Sequence, residues 1–411
     1  MRAQMARQSS LADEAEHRAM LLAVPGPRPD SDPWLAQSLT EGAAGIALLH
    51  VERAHSGHGT WQRAHEWITS AAAGEVSASD STGLYQGLPA VAFMLDAAAS
   101  GTGRYRAALS GIDRHLSRLA AERAAAGMAR IRDRRLPVFR EHDVFFGLTG
   151  LGALLLRRDP GGSALERVLE YLVALTRPIL IDDQELPGWW AGHDPHRRSS
   201  PGFPGGHGNF GTAHGIGPLA LLGHAMRRGV TVDGQREAIA TVCAWLSAWR
   251  QDSAAGPWWP EWITMADLQA GRPSQAGPNR PSWCYGTPGI ARAGQIASIA
   301  IGDEPARLEY EDALARCLHD PVQQARITDA GLCHGAAGLY MTAWRAASDA
   351  AGSALSRLLP GLAELLYRLA VSDIPKTPGF LEGDAGTALA LHTAATGAAP
   401  TSGWDACLLI S

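Results

Sequence analysis

A short glycine motif recurs along the chain, each time at the head of an apolar stretch rich in Ala and Leu. Aligned on its leading glycine, the motif appears seven times, with 45 to 71 residues between successive leading glycines. Such a repeat indicates equivalent units that bury their apolar faces against one another. The seven segments are EGAAGIALLH (41–50), QGLPAVAFML (86–95), FGLTGLGALLL (146–156), HGIGPLALLG (214–223), YGTPGIARAG (285–294), HGAAGLYMTA (334–343) and EGDAGTALAL (382–391).

Each segment is typical of a buried helix. Five carry a strict G-x-x-G, whereas Ala90 and Pro218 replace the second glycine in the second and fourth repeats. An amphipathic stretch with helical apolar spacing precedes each segment, and Ser10 with Asp13 predicts the N-cap of the first one. Strand signals are almost absent. The sequence therefore predicts an all-α fold, an α/α toroid of seven inner and seven outer helices, with residues 1–411 as a single domain.

Two long segments rich in Gly, Pro and Trp precede the fourth and fifth inner helices, at about 179–213 and 252–283. Loops carried on a rigid scaffold commonly hold functional residues. We expect these two segments to form the walls of a cleft.

The composition limits the range of functions. A net charge of −5 gives no reason to expect a nucleic-acid partner. No run approaches the ~20 apolar residues that a membrane-spanning helix needs, and the N-terminal stretch lacks the apolar core of a secretory signal. We therefore expect a cytoplasmic protein that is not transmembrane. Five cysteines, an odd number in a long chain, argue against a disulfide framework.

Several chemically active side chains occur at the same position of the repeat, directly before the leading glycine. The residue before each leading glycine should lie at the N-terminus of an inner helix, where exposed N–H groups favour anions. In a toroid these positions share one rim. Cys284 and Cys333 stand one residue further upstream. The residues at the rim position are Glu41, Gln86, Phe146, His214, Tyr285, His334 and Glu382.

Cys284, Cys333 and His334 form a donor set that zinc accepts, although a lone buried Cys is more often a packing residue. His214 has three interpretations: a structural residue, a fourth ligand or an acid/base. Asp143 is either a helix N-cap or a catalytic group. Cys243 and Cys317 fall in amphipathic helices and are expected in the core, while His193 and His207 have no repeat frame to place them.

Arg280, four residues before Cys284, has two interpretations. It is either an ordinary surface residue or a clamp for an anion.

Four stretches, HDVFFGLTG, GTAHGIGP, NRPSWCYGTPG and GLCHGAAG, closely resemble the LanC-like lanthipeptide cyclases, and the resemblance runs through all seven repeats. It implies an α,α-toroid with one catalytic zinc ion held by Cys284, Cys333 and His334. It also implies that peptide Cys thiols are added to dehydroalanine or dehydrobutyrine, which closes thioether rings. The other active-site residues that the family implies are His214 as acid/base, Asp143, Arg280 and Tyr285.

The resemblance also suggests partners. We expect the substrate to be a dehydrated precursor peptide with a leader. A length of 411 residues leaves no room for a fused dehydratase, so a separate dehydratase is the expected partner of a free-standing class I cyclase. Membrane association would then arise only through a biosynthetic complex.

Three alternatives stay open from the sequence. The first is a non-catalytic LanC-like scaffold that binds a peptide or a synthetase. The second is a carbohydrate-active α/α toroid, which would suit the 13 Trp residues and would work through paired acids such as Glu41 and Glu382. The third is a relative that adds glutathione to dehydroamino acids.

Overall fold

The structure, a computed structural model, describes residues 2–25, 33–79, 81–372 and 377–411. Helices dominate this part of the chain, which also contains 3-10 helices at Pro33–Gln37 and Trp404–Leu408. The α-helices are α1 (Arg2–Leu21), α2 (Ala43–His55), α3 (Trp61–Ala71), α4 (Leu88–Ala99), α5 (Arg106–Arg132), α6 (Phe139–His142), α7 (Leu148–Arg158), α8 (Ser163–Leu175), α9 (Gly217–Arg227), α10 (Gln235–Trp249), α11 (Met265–Ala270), α12 (Thr287–Ile301), α13 (Glu304–His319), α14 (Pro321–Gln324), α15 (Ala336–Asp349), α16 (Ala354–Ser372) and α17 (Asp384–Thr396).

Seven of these helices form the inner wall of a ring, namely α2, α4, α7, α9, α12, α15 and α17. Each contacts the next in this series, and α17 contacts α2, so the ring closes. Outside them lie α1, α3, α5, α8, α10, α13 and α16. The predicted α/α toroid of seven inner and seven outer helices is confirmed. Among the described helices, none is long and apolar enough to span a bilayer.

The pairing of inner and outer helices differs from the order predicted. Of the two outer helices that flank it, an inner helix packs more closely on the one that follows it, as α2 does on α3 and α12 does on α13. The N-terminal helix α1 packs on α17, the last inner helix, and so completes the seventh pair. The two ends of the helical array therefore meet, and this contact helps to close the ring.

The repeated glycines have a specific steric cause. In the five strict motifs, a Cβ on the second glycine would lie between 1.8 and 2.1 Å from the carbonyl oxygen six residues earlier. In these five repeats the loop before the inner helix thus folds back onto the first helical turn, and only glycine leaves room for it. The five glycines are Gly45, Gly150, Gly289, Gly338 and Gly386.

Six short strands lie in the loops that precede α9 and α12. Strands β1 (Ile179–Ile181) and β2 (Gln184–Leu186) form one antiparallel pair, and β4 (Gln251–Ser253) and β5 (Gly256–Trp258) form another. Strand β3 (His207–Asn209) pairs with β6 (Trp262–Thr264) and joins the two long loops. Three-residue strands leave almost no alternation in the sequence, so its periodicity does not predict them.

Residues 398–411, here called the central segment, fill the middle of the ring. Glu52 of α2 accepts hydrogen bonds from the N–H groups of Thr401 and Ser402. Further bonds to the segment come from Tyr85, Arg157, His224, Trp283, Arg292 and Arg345. Because the inner helices meet outer helices on one side and the central segment on the other, they are apolar around most of their circumference.

Candidate metal centre and active site

The rim positions stand out by their exposure. All seven residues that precede a leading glycine are half-buried or exposed, whereas the leading glycines themselves are buried. Six of those glycines are the N-cap of an inner helix, and in the fourth repeat the helix begins at Gly217 with Pro218 in its first turn. The repeat frame therefore places these side chains at the beginnings of the inner helices.

Cys284, Cys333 and His334 meet at this rim. One ligand atom from each lies within 4.8 Å of the other two. The backbone keeps the two loops together, because the Cys284 N–H donates to the Cys333 carbonyl at 3.3 Å. Within the described residues, no other group of three His, Cys, Asp or Glu side chains has this geometry.

Hydrogen bonds join the three side chains and shift their pKa values. The Cys333 thiol hydrogen-bonds to Cys284 and His334 does so as well, and these bonds lower the pKa of the Cys284 thiol. The bond to Cys284 raises the pKa of both Cys333 and His334. Two thiol sulfurs and an imidazole that open onto a pocket are a ligand set that suits a zinc ion with one free position. The residues present therefore fit zinc.

The pocket in front of these ligands has a volume of about 280 Å³. Its walls bring together six of the seven residues singled out in the sequence, and the seventh, Asp143, lies behind His214. The lining residues are Phe145, Ala213, His214, Glu261, Arg280, Ser282, Cys284, Tyr285, Cys333 and His334. Four residues of the rim lie outside the lining of this pocket, namely Glu41, Gln86, Phe146 and Glu382, so only part of the rim takes part in the site.

His214 and Asp143 form a hydrogen-bonded pair. His214 Nδ1 lies 2.9 Å from Asp143 Oδ2, while Asp143 Oδ1 accepts the N–H groups of Phe146 and Gly147 at 2.7 and 2.8 Å. Asp143 is only 2% exposed. One carboxylate oxygen therefore fixes the loop that leads into α7, and the other orients the imidazole.

Two aromatic rings hold the His214 imidazole between them. The Phe139 and Phe145 rings stack on it, with centroid distances of 5.1 and 5.2 Å. The Asp143 bond occupies Nδ1 and leaves Nε2 for a group in the pocket. An imidazole fixed in this way is preorganised for proton transfer.

Tyr285 is held from the loop that carries β3. Asn209 Nδ2 donates to the Tyr285 hydroxyl at 3.1 Å and lies 3.3 Å from His207 Nε2. Burial lowers the pKa of His207 to about 4, so its ring is neutral and accepts this bond. Burial also raises the pKa of Tyr285, which keeps its hydroxyl protonated. His207, which the repeat frame could not place, thus supports the site.

Arg280 lines the pocket and pairs with Asp329, with 3.5 Å between Nη1 and Oδ2. Asp329 also accepts the Gly331 N–H at 3.0 Å and so shapes the loop before α15. His334 Nδ1 lies 3.7 Å from Glu382 Oε1 across the rim. Asp329 was not identified from the sequence. It lies six residues ahead of its leading glycine, Gly335, whereas Asp143 lies four ahead of Gly147, so the two positions are not equivalent in the repeat.

The cysteines of the outer helices are packing residues. Cys317 in α13 is buried and Cys243 in α10 is half-buried. Burial raises the pKa of Cys317 to about 12 and that of Cys243 to about 11. Thiols in such surroundings are poor nucleophiles and poor metal ligands.

A carbohydrate-active site would need two carboxylates that flank one cleft. Among the described residues, Glu261 is the one carboxylate in the lining of this pocket, and both acids of that alternative, Glu41 and Glu382, lie outside the lining. The described pocket therefore lacks the arrangement that this alternative requires.

Comparisons with known proteins bear on the fold and the family. A family model described as "Lanthionine synthetase C-like protein" matches residues 33–409. Among solved structures, nisin cyclase is similar, with a TM-score of 0.79 and 19% sequence identity over 97% of this chain and 96% of that chain. An unsaturated glucuronyl hydrolase from Bacillus sp. GL1 has a TM-score of 0.47 and 14% identity over 86% and 95% of the two chains. No curated protein sequence matches significantly.

Proposed function

Because the chain belongs to the lanthionine synthetase C-like family, we propose that it is a zinc-dependent lanthipeptide cyclase. Its substrate is a precursor peptide in which Ser and Thr have been dehydrated, and it adds Cys thiols of that peptide to the dehydro residues. The observation that carries the proposal is one shared pocket. The pocket is lined by Cys284, Cys333 and His334 and also by His214. Asp143 supports its wall through the hydrogen bond to His214.

Cys284, Cys333 and His334 would hold the zinc ion. When bound, zinc would lower the pKa of the substrate thiol, which is otherwise ~8.5, and so supply a thiolate at neutral pH. With zinc bound, the two cysteine ligands would offset the charge of the metal and keep the substrate sulfur electron-rich.

His214 delivers the proton that completes the addition. Attack of sulfur at the β-carbon leaves an enolate, which must be protonated at Cα. The protonated imidazole donates from Nε2, because Nδ1 is held by Asp143 at 2.9 Å. The carboxylate stabilises the imidazolium before transfer and keeps its ring facing the pocket.

Arg280 and Tyr285 stabilise the enolate oxygen. The guanidinium has five N–H donors and its partner, Asp329, lies at 3.5 Å, so donors remain for the substrate. The Tyr285 oxygen accepts from Asn209, which leaves the phenolic hydrogen free to donate. Donors placed where charge develops lower the barrier of such additions.

The proposal includes the setting of the reaction. A dehydratase must act first, since the chemistry begins from dehydro residues, and we propose that it is a separate partner. We further propose that the cyclase works in the cytoplasm on a leader-bearing peptide, with any membrane association made through the biosynthetic complex.

The test uses a peptide with dehydrated Ser or Thr and a free Cys. Addition of S–H across C=C conserves mass, so an alkylating reagent must count the free thiols. The zinc-loaded protein should remove alkylatable thiols faster than the slow reaction without enzyme. Chelation of zinc, or Cys333→Ala, should return the rate toward that background.

Two outcomes separate the alternatives. If the cognate dehydrated peptide keeps all its thiols in the presence of zinc-loaded protein, the cyclase proposal is wrong. Binding of that peptide without turnover would instead support the non-catalytic scaffold.

A further inference from the structure

The fate of the thiol proton is the part of the reaction that the residues above do not explain. Breaking the S–H bond requires an acceptor within the pocket. Asp143 is unavailable, since Oδ2 is bonded to His214 and Oδ1 accepts two backbone N–H groups. At 2% exposure it is also shielded from an incoming peptide.

Glu261 is the carboxylate that lines the pocket. It directly precedes β6, and its backbone is fixed on both sides. Its N–H donates to Gln275 Oε1 at 3.0 Å, and its carbonyl accepts the N–H of Phe210 at 3.0 Å. Pairing of β6 with β3 ties this position to the loop that supports Tyr285. The carboxylate is therefore carried on a rigid part of the wall.

The surroundings of Glu261 suit a proton acceptor. Its side chain is half-buried and hydrogen-bonds to Asn279, and burial raises the pKa of the carboxyl above its ordinary value. The charged and titratable groups that act on it are Arg280, Cys284 and Tyr285. A carboxylate whose basicity is increased by burial accepts protons more readily than one in water.

The other titratable groups of the pocket have different tasks. Cys284, Cys333 and His334 form the ligand set, and His214 is the proposed acid. Arg280 cannot lose its proton in this pH range, and the Tyr285 hydroxyl stays protonated. Glu261 is the group in the pocket lining that is left to accept a proton.

We propose that Glu261 is the base that takes the proton from the substrate cysteine thiol. The inference rests on the proposed function. The S–H bond breaks and its proton passes to a Glu261 oxygen, while a sulfur electron pair forms the bond to the β-carbon. The π pair moves onto the carbonyl oxygen, and His214 then protonates Cα. Glu261 releases its proton to solvent, from which His214 is recharged, so the net reaction is addition of S–H across C=C.

The first test compares Glu261→Gln with Glu185→Gln, an exposed glutamate in β2 that serves as the matched control. Both variants should keep their zinc and their helix content. Near neutral pH, Glu261→Gln should cyclise the dehydrated peptide about tenfold to a hundredfold more slowly than wild type, and Glu261→Asp should regain part of the rate. The deficit should shrink as the pH rises, because more of the substrate thiol then ionises without a protein base.

The second test does not depend on turnover. Cobalt-substituted protein is titrated with a cysteine peptide that lacks dehydro residues, and the thiolate-to-cobalt absorption band is followed against pH. In Glu261→Gln the band should appear at higher pH than in wild type or Glu185→Gln.

A rate deficit that is equal at every pH, or no deficit at all, would overturn the assignment, and so would coincident cobalt titrations. Failure of the wild-type protein to cyclise would refute the proposed function, but the cobalt titration would still report on Glu261.

Discussion

His214 Nδ1 lies 2.9 Å from Asp143 Oδ2, and the two residues come from the loops before two neighbouring inner helices, α9 and α7. Because Asp143 Oδ1 also accepts the N–H groups of Phe146 and Gly147, the carboxylate cannot turn away without breaking the hydrogen bonds that fix the loop before α7. The orientation of the proposed acid is thus tied to the packing of two adjacent repeats.

Replacement of His214 should separate proton transfer from metal binding. We expect His214→Asn to retain one zinc ion per chain and to cyclise at least ~10²-fold more slowly, because the proton donor at Cα is lost. Zinc content by elemental analysis and the thiol-alkylation rate check this. If the variant loses its zinc, His214 is a fourth ligand and the site is structural.

Replacement of a proposed metal ligand should remove the zinc, unlike replacement of His214. Cys284→Ala or Cys333→Ala removes one of three donors within 4.8 Å, so the purified variants should carry little zinc while circular dichroism shows the helix content preserved. Cys243→Ala, which alters a half-buried thiol in α10, is the control and should keep its zinc. Full zinc occupancy in both ligand variants would contradict the assignment.

His142 makes the fold sensitive to acid. It is fully buried, and neither ring nitrogen has a hydrogen-bond partner among the residues that the structure describes. Burial lowers its pKa to about 4 from an ordinary value near 6.5. Above pH ~6.5 both folded and unfolded states hold the neutral ring, so it has no effect on the pH dependence. As the pH falls below this, the unfolded state takes up the proton first and the free energy of unfolding decreases.

His142→Met removes this acid-linked loss. As the pH falls from ~6.5 to ~4, the free energy of unfolding of the variant should rise relative to that of wild type by about 3 kcal/mol, at ~1.4 kcal/mol per pKa unit. Urea unfolding at several pH values measures it. If the free energy of unfolding depends on pH in the same way in both proteins, the buried ring is not the cause of the acid sensitivity.

The glycine motif predicts a stability difference between two substitutions of the same kind. A Cβ at Gly338 would lie 1.8 Å from the Leu332 carbonyl oxygen, whereas nothing lies within 4 Å of one at Gly361 in α16. Gly338→Ala should therefore lower the free energy of unfolding by ~1–3 kcal/mol. Gly361→Ala should raise it by up to ~1 kcal/mol, because alanine favours the helix. Similar effects at the two positions would refute the steric account.

Features that repeat were predictable from the sequence. The seven motifs locate the inner helices and the rim, and their shared frame is enough to bring Cys284, Cys333 and His334 together. The reason is physical: each loop must fold back on its own helix, so the same short segment recurs wherever the geometry does. His214 and Tyr285 were found through the same frame.

Features outside the seven repeated motifs were not predictable from the sequence. Glu261 and Asn209 lie in the two long loops, where their positions depend on the β3–β6 pairing between segments far apart in sequence. The prediction that Ser10 caps the first outer helix was wrong. α1 begins at Arg2, and the Ser10 hydroxyl donates to the Ala6 carbonyl within the helix. A polar residue inside a helix and one at its start look alike when local propensity is the sole guide.

The central segment has a consequence for how the protein is made. During synthesis the N-terminal repeats leave the ribosome first, yet α1 packs on α17 and the middle of the ring is filled by residues 398–411. Early inner helices therefore keep one apolar side uncovered until α17 and the central segment have been translated. Closure of the ring is a late event by necessity, and a nascent chain that stalls before Trp404 would expose the kind of surface that chaperones bind.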